Sequence, residues 1–274
     1  PITKRVIKNL NNCKIIVRYG IGLNNIDINA ATEARIYVVN VPKFCIDEVS
    51  THAVAMTLAL VRKLFLLDKD VKREKWNFQL QLPMLDFKNS IIGVIGFGNI
   101  ARLYINKTKP FGVKHLVYDP YISEEEIKKY GLEPSGLERI ITTSDVISIH
   151  CPLTKETRHL FTEKELKKMK SSAYLINTAR GGIIDEVSLY KALKNKWIAG
   201  AALDSMELEP PEKNNPLFEL DNIILTPHAA FYSKNALYNL HSEAIKEAIR
   251  VLSGKLPNNL VNINILEKEE SKKL

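Results

Sequence analysis

Residues 91–119 read IIGVIGFGNIARLYINKTKPFGVKHLVYD. The stretch opens on an apolar run, Ile91 to Ile95, of the length of a strand buried on both faces. It breaks into Gly96-Phe97-Gly98-Asn99-Ile100-Ala101, the G-x-G-x-x-G/A spacing of a dinucleotide site. Gly96 permits the tight turn, Gly98 lets the backbone approach a pyrophosphate, and Ala101 lets the next helix pack close to the strand. That helix starts at Asn99 and Ile100 and points unpaired N–H groups at the phosphates. A second apolar strand, His115 to Tyr118, ends on Asp119, 23 residues after Gly96. This is the position from which an acid grips the adenosine ribose hydroxyls. A lone glycine fingerprint is a weak signal, since many turns between strand and helix are glycine-rich. Strand, fingerprint, helix, strand and acid in one unit predict a dinucleotide fold.

The chain of 274 residues is long enough for two domains, and 45% apolar with 26% charged residues gives a globular core. The apolar stretch Ala53 to Val61, broken by Thr57 and closed by Arg62, is too short to span a bilayer. No basic segment leads into an apolar run with a cleavage site, so no secretory signal is read. Cys13, Cys45 and Cys151 are odd in number and lack C-x-x-C spacing, which fits reduced thiols in a cytoplasmic protein. The net charge of +8 is spread along the chain; Lys69 to Lys75 and Lys164 to Lys170 read as solvated helix faces. That balance helps attract anionic substrates and cofactors but is poor evidence for nucleic acid; no nucleic-acid partner, no membrane association and no metal are expected.

Around the central stretch, Thr3 to Leu10 has helical spacing and Lys14 to Val17 reads as a strand. A glycine loop, Arg18 to Asn25, leads to a helix at Ile26-Asp27-Ile28, and Arg35 to Val41 reads as a second strand. The loop is suited equally to a tight turn and to an anion. Glu48 to Lys75 carries one long helical pattern, with His52 near its start as a packed or capping residue. Gln79 to Lys88 is irregular and reads as an arm. From Ser90 the chain alternates strand and helix, with further strands at Val146–Ile149, Ala173–Ile176, Ile198–Leu203 and Ile223–Leu225. This is the pattern of a doubly wound parallel sheet. Thr162 and Glu165 form a capping box, Asn235 to Leu252 is a last amphipathic helix, and Glu267 to Leu274 reads as a frayed charged tail.

Ligands of open α/β sheets bind outside the carboxyl ends of the strands. Here those ends deliver Gly96, Asp119, His150-Cys151-Pro152, Thr178-Ala179-Arg180, Asp204 and Thr226-Pro227-His228 to one rim. Arg180 is a planar cation suited to a carboxylate, and His228 moves a proton near neutral pH. Glu209 could hold that imidazole in its charged form. With a nicotinamide for the hydride, the set fits 2-hydroxy acid to 2-keto acid redox. Singly, Arg180 reads as a surface ion pair, His228 as a loop residue and Glu209 as a solvated acid. Their convergence favours the enzyme.

The stretches GVIGFGNIARL, YDPY, INTARGGIIDE, AALDSMELEPP and TPHAAFYS resemble the D-isomer-specific 2-hydroxyacid dehydrogenases over nearly the whole chain. RYGIGLNNIDINAA, NVPKFCIDEVSTHAVA and HAAFYS are most similar to the branch of the C-terminal binding proteins, with phosphoglycerate dehydrogenases and glyoxylate reductases as further relatives. The resemblance implies two Rossmann-like domains. A cofactor domain (50–232) is inserted into a smaller flavodoxin-like substrate domain made of 1–49 and 233–274, and members are usually dimers joined through the cofactor domain. It implies Arg180 for the substrate carboxylate and carbonyl, His228 as acid/base with Glu209 as partner, and NAD as cofactor. Asp204 would hold the nicotinamide carboxamide and Asp119 the ribose; Cys151, Pro152, Thr178, Ala179 and His228 would line the cofactor. The backbone of Tyr19, Gly20, Ile21 and Gly22 would cradle the substrate carboxylate, with Arg18 as an extra cation.

Asn24 stands where relatives usually carry Asp, Thr51 where an acid is common, and Asn99 where Arg is frequent, although Arg102 is near. The chain starts at Pro1, whereas family members carry several dozen residues before that point, so part of the substrate domain is expected upstream. No regulatory domain is read after Asn259-Leu260-Val261-Asn262, which weakens a phosphoglycerate assignment without excluding it; D-3-phosphoglycerate and glyoxylate or hydroxypyruvate stand as alternative substrates. Two alternatives differ in kind from the small-acid dehydrogenase. One is a corepressor-like scaffold that senses NAD(H), which need not keep Arg180, Glu209 and His228. The other is a formate dehydrogenase, disfavoured because that relative uses an amide where Glu209 stands.

Overall fold

The computed structural model describes residues 1–266, and the tail from Glu267 to Leu274 lies outside the described residues. The chain forms two compact units, Ile46–Phe231 and a second made of Pro1–Cys45 with the residues from Tyr232 onward.

In the second unit, α1 (Lys4–Ile7), β1 (Ile15–Arg18), α2 (Ile28–Glu33) and β2 (Tyr37–Asn40) follow in order. β1 and β2 pair in parallel, Ile15 opposite Tyr37 and Arg18 opposite Asn40. The second strand starts later than the expected Arg35. Arg35 takes φ +58, turning the chain out of α2, and the Ile36 N–H returns to Ala31 O at 2.9 Å. Ile7, Ile16, Ile26, Ala30, Ala31, Ile36 and Val38 make the apolar core. Asn262 stitches the C-terminal return to it. Its Oδ1 accepts from Val38 N at 2.8 Å, and its Nδ2 donates to Ile36 O at 3.0 Å and Thr32 Oγ1 at 3.1 Å.

The single helix expected over Glu48–Lys75 is two helices, α3 (Ile46–Val61) and α4 (Leu64–Lys72), bent by 58°. Lys63 between them sits at φ +49, a left-handed conformation that ends the ladder. α3 buries Val49, Ala53, Met56 and Leu60, whereas α4 buries no residue, so burial stops where the axis turns although the apolar sequence continues through Leu64-Phe65-Leu66-Leu67. The expected arm is a 3-10 turn at Phe78–Gln81, an extended stretch, and a second 3-10 turn at Phe87–Asn89.

The strands β3 (Ile91–Ile95), β4 (Lys114–Tyr118), β5 (Glu133–Pro134), β6 (Val146–Ile149), β7 (Tyr174–Asn177), β8 (Gly200–Leu203) and β9 (Ile223–Leu225) form one sheet. Their order is β5-β4-β3-β6-β7-β8-β9, and every pairing is parallel. The strand order reverses between β3 and β6, the switch point at which open sheets take their ligands. β5, an edge strand of two residues, was not legible in sequence: it is too short for a period and contains Pro134, tolerated only at an edge.

The connecting helices are α5 (Asn99–Thr108), α6 (Glu124–Lys129), α7 (Leu137–Thr143), α8 (Glu163–Lys168) and α9 (Glu186–Lys194). The Thr162–Glu165 capping box opens α8 as its sequence implies. α10 (Lys234–Leu252), capped by Ser233, belongs to the second unit with β1 and β2. Among the described residues no single helix is long and apolar enough to cross a membrane. α3 and α4 together have the length and composition, but they are sharply bent.

Candidate active site

β3 delivers Gly96 at φ +91, where a Cβ would lie 2.7 Å from Cys151 N and 2.8 Å from His150 C. Both the turn and the neighbouring strand end therefore exclude a side chain. At Gly98 a Cβ would meet nothing within 4 Å, so this glycine faces open space. Gly98 is the N-cap of α5 and offers no side-chain cap, which leaves the first-turn N–H groups at Asn99 and Ile100 to an outside acceptor. Ala101 is fully buried. Asp119 is pinned to this loop: Oδ2 accepts from Phe97 N at 2.8 Å and Oδ1 from Tyr121 N at 2.9 Å.

Arg102, which sequence marks only as a nearby cation, braces the loop. Its guanidinium carbon stands 4.6 Å from the ring centroids of both Phe97 and Tyr130, and its Nε donates to Phe97 O at 3.0 Å.

β6 ends in His150 and Cys151. Burial pushes the His150 imidazole down to about 3, so it is neutral, with Ser148 Oγ 2.9 Å from its Nε2. Burial pushes the Cys151 thiol up to about 11, which makes it a packing group rather than a nucleophile. Pro152 beside it is exposed.

At the end of β7 the Asn177 side chain folds the next turn. Its Oδ1 accepts from Ala179 N at 2.9 Å, and its Nδ2 donates to Arg180 O at 2.8 Å. Arg180 Nη1 donates to Ala179 O at 2.6 Å. A Cβ on Gly181 would fall 1.9 Å from Met206 C, so the Arg180 turn lies directly on the strip after β8. Two hydroxyls at these strand ends, Thr178 Oγ1 and Ser205 Oγ, are buried and have no hydrogen-bond partner. Such orphans on a rim invite a polar ligand.

β8 and β9 supply the acid–base group. His228 Nδ1 stands 2.8 Å from Glu209 Oε2, while Glu209 Oε1 accepts from Met206 N at 3.0 Å. A carboxylate only accepts, so Nδ1 carries a proton and Nε2 is the ring atom that exchanges one. Glu209 is thus not a freely solvated acid. Asp204 is 1% exposed; its Oδ1 accepts from Thr226 Oγ1 at 2.6 Å and Ala229 N at 2.9 Å, and its Oδ2 from Ala230 N at 3.0 Å. The carboxylate expected at the carboxamide therefore spends three acceptor positions on the loop that carries His228.

In the other unit, Gly20 takes φ +140 in the Arg18–Gly22 loop. Arg18 is no outward cation: its Nε donates to Gly22 O at 3.1 Å and Nη1 to Tyr19 O, folding it over its own loop. Ile21 O accepts from Asn40 Nδ2 at 2.8 Å, and the Tyr19 ring packs on His241 at 5.7 Å. At the surface, His159, Asp185 and Glu207 bring ligand-type atoms within 4.8 Å of one another, and His159 Nε2 stands 3.2 Å from Glu207 Oε1, the spacing of an ion pair.

Residues 54–230 match the sequence profile of the NAD-binding domain of D-isomer specific 2-hydroxyacid dehydrogenases. The chain belongs to that family. It is 36% identical over 270 residues to a glyoxylate reductase of Korarchaeum cryptofilum, covering 97% of this chain and 81% of that protein. With a D-3-phosphoglycerate dehydrogenase of Archaeoglobus fulgidus it shares 37% identity over 97% of this chain but only 50% of the relative. A crystal structure of the Aquifex aeolicus D-lactate dehydrogenase, complexed with NAD and lactic acid, superposes with a TM-score of 0.87. Identity there is 31%, with 92% of this chain and 80% of that one covered.

The family consists of NAD-dependent oxidoreductases acting on CH–OH groups, and the seven-stranded unit is its Rossmann domain. NAD fits the residues present: open space at Gly98, an uncapped α5 and two orphaned hydroxyls at the rim.

Proposed function

We propose that the protein interconverts small 2-keto acids and D-2-hydroxy acids with NAD(H), using Arg180, Glu209 and His228. The observation that carries this is the 2.8 Å contact of His228 Nδ1 with Glu209, in a loop bracketed by Asp204. Bound NAD supplies or accepts the hydride. The chain's own work is to place the acid and move one proton. His228 Nε2 gives its proton to the carbonyl oxygen in reduction and takes it back in oxidation. Glu209 holds the ring through Nδ1–H and so aims Nε2 at the substrate. Arg180, oriented through Ala179 O, pairs its planar fork with the substrate carboxylate.

Around the cofactor, Asn99 and Ile100 N–H groups meet the pyrophosphate and Asp119 the adenosine ribose. Thr178, Ala179, Cys151 and Pro152 line the cofactor, and the acceptor position left on Asp204 takes the nicotinamide carboxamide. The loop Tyr19–Gly22 offers backbone N–H groups to a carboxylate, with Arg18 holding its shape. Relatives named glyoxylate reductase and D-3-phosphoglycerate dehydrogenase favour a small substrate such as glyoxylate or hydroxypyruvate, or a 3-phospho acid.

The homodimer expected through the NAD-binding domain is supported by exposed apolar side chains after α4, Trp76 at 88% and Phe78 at 66% exposure. A cytoplasmic location is supported by the odd number of cysteines and their lack of C-x-x-C spacing.

The test is a panel of glyoxylate, hydroxypyruvate, pyruvate and 3-phosphohydroxypyruvate, followed by NADH absorbance. Turnover lost in His228→Ala supports the reading. NADH binding with no turnover of any acid would instead favour the sensing scaffold. Sedimentation of wild type and Trp76→Glu tests the dimer.

A further inference from the structure

α3 carries His52 to the same rim. Its Nε2 lies 3.1 Å from Thr226 Oγ1 and 3.7 Å from Asp204 Oδ1. The Thr226 hydroxyl has one proton, and the 2.6 Å bond to Asp204 Oδ1 uses it, because an ionised carboxylate only accepts. Thr226 Oγ1 must then accept from His52, which fixes that imidazole with its proton on Nε2. From Asp204 the chain of bonds runs on to Ala229 N and Ala230 N. His228 lies between Thr226 and Ala229 and holds φ +51, a left-handed backbone uncommon for a residue with a Cβ. The bonds of Asp204 are therefore anchored on both sides of His228, and His52 stands at the far end of that chain.

His52 is itself held. Lys107 Nζ on α5 reaches Asp47 Oδ1 at 2.7 Å, Ser50 Oγ at 2.9 Å and Thr51 Oγ1 at 2.6 Å, tying the first turns of α3 to the helix that follows the glycine fingerprint. The side chain of His52 is 27% exposed, and that of Asp204 is 2% exposed.

We infer that His52 is a positioning residue for the proton transfer assigned above to His228, acting through the Thr226 hydroxyl and Asp204. The inference rests on that assignment. It gives His52 no contact with the substrate, and its effect belongs in kcat rather than in cofactor binding.

The experiment compares His52→Phe, His52→Gln, Thr226→Val and the His52→Phe/Thr226→Val pair, with His228→Ala alongside. One neutral hydrogen bond is worth about a threefold to tenfold change. His52→Phe is expected to lower kcat for the best keto acid about that much. KM and the NADH Kd, read by fluorescence quenching, should stay within about twofold. His52→Gln, whose amide N–H can replace Nε2–H, should recover most of the loss. The double variant should be no slower than the slower single one, because both changes break the same chain. Wild-type kcat in His52→Phe, losses that multiply in the double variant, or no rescue by Gln would each overturn the inference. So would a loss of NADH affinity or Tm that tracks kcat across the set, since that is plain structural damage. If His228→Ala turns over normally, the acid–base assignment fails and this inference with it; a dead His228→Ala beside an unaffected His52→Phe removes this inference alone.

Discussion

A Cβ placed on Gly96 would sit 2.7 Å from the backbone nitrogen of Cys151, across the point where the strand order reverses. The two glycines of the fingerprint therefore do different work. Gly96 is required by the protein's own packing and by φ +91, whereas Gly98 faces open space. Gly96→Ala should cost roughly 2–5 kcal/mol, combining left-handed strain with overpacking. Gly98→Ala should fold with an unchanged Tm and lose NADH affinity about tenfold or more, because its methyl group fills the approach of the pyrophosphate. Urea unfolding and NADH titration of both variants check this; a Gly98→Ala protein that binds NADH like wild type would remove the pyrophosphate from that space.

His228→Ala should reduce kcat by about 100- to 10,000-fold while NADH affinity holds, as expected for loss of a general acid–base group. Glu209→Gln keeps an acceptor oxygen for Met206 N but loses the second acceptor oxygen that holds His228 Nδ1–H, so an intermediate loss of about tenfold is expected. Stopped-flow reduction of a keto acid separates the two. Equal rates in Glu209→Gln and wild type would show that the 2.8 Å contact has no part in the chemistry.

The parts legible in sequence are those whose signal is local. β6, β7 and β8 bury every residue, so each reads as a short apolar run. The fingerprint declares itself by spacing, and the capping box of α8 lies within four residues. What escaped depends on distant partners. The bend at Lys63 is a backbone choice inside a continuous helical pattern. Arg102 gains its role only when Phe97 and Tyr130 close on it. Asp204 reads as a strand-end acid, yet its acceptors are filled from Thr226, Ala229 and Ala230. His52 looks bland because its partner Thr226 is 174 residues away.

Stability should fall in mild acid through His115. Burial, with Lys109 adding to it, pushes this imidazole from 6.5 down to about 4. Thr108 Oγ1, which donates to Tyr104 O at 2.9 Å, stands 2.8 Å from His115 Nε2 and so accepts from it. The group is neutral when folded and binds a proton readily when unfolded. Its contribution is thus fully present above about pH 6.5 and is lost as pH falls toward about 4. By pH 5 the loss is about 2 kcal/mol. His150 acts in the same direction. Urea unfolding at pH 7 and pH 5 should show a drop in wild type that is smaller by about that amount in His115→Gln. Equal drops in the two proteins would place the acid sensitivity elsewhere.

The cofactor preference should be for NADH over NADPH, and it should reside in the charge of Asp119. Hydrogen bonds from Phe97 N and Tyr121 N fix this carboxylate against the fingerprint loop, so it cannot swing aside. A 2′-phosphate at the ribose would face it as a like charge. At an effective dielectric near 20, unit charges about 4 Å apart repel by roughly 4 kcal/mol, and half of that is roughly 30-fold in binding. The cations nearby are engaged. Arg102 is stacked between Phe97 and Tyr130 and donates to Phe97 O, Lys128 pairs with Glu124 at 3.2 Å, and Lys129 lies 3.9 Å from Glu126. The measurement is kcat/KM for both cofactors on wild type, Asp119→Ala and Asp119→Asn. Asn keeps an acceptor for Phe97 N without the charge, so it should relax the preference about tenfold or more while keeping NADH efficiency closer to wild type than Ala does. Equal efficiency with the two cofactors in wild type, or an Asn variant as selective as wild type, would mean that this charge is not at the ribose.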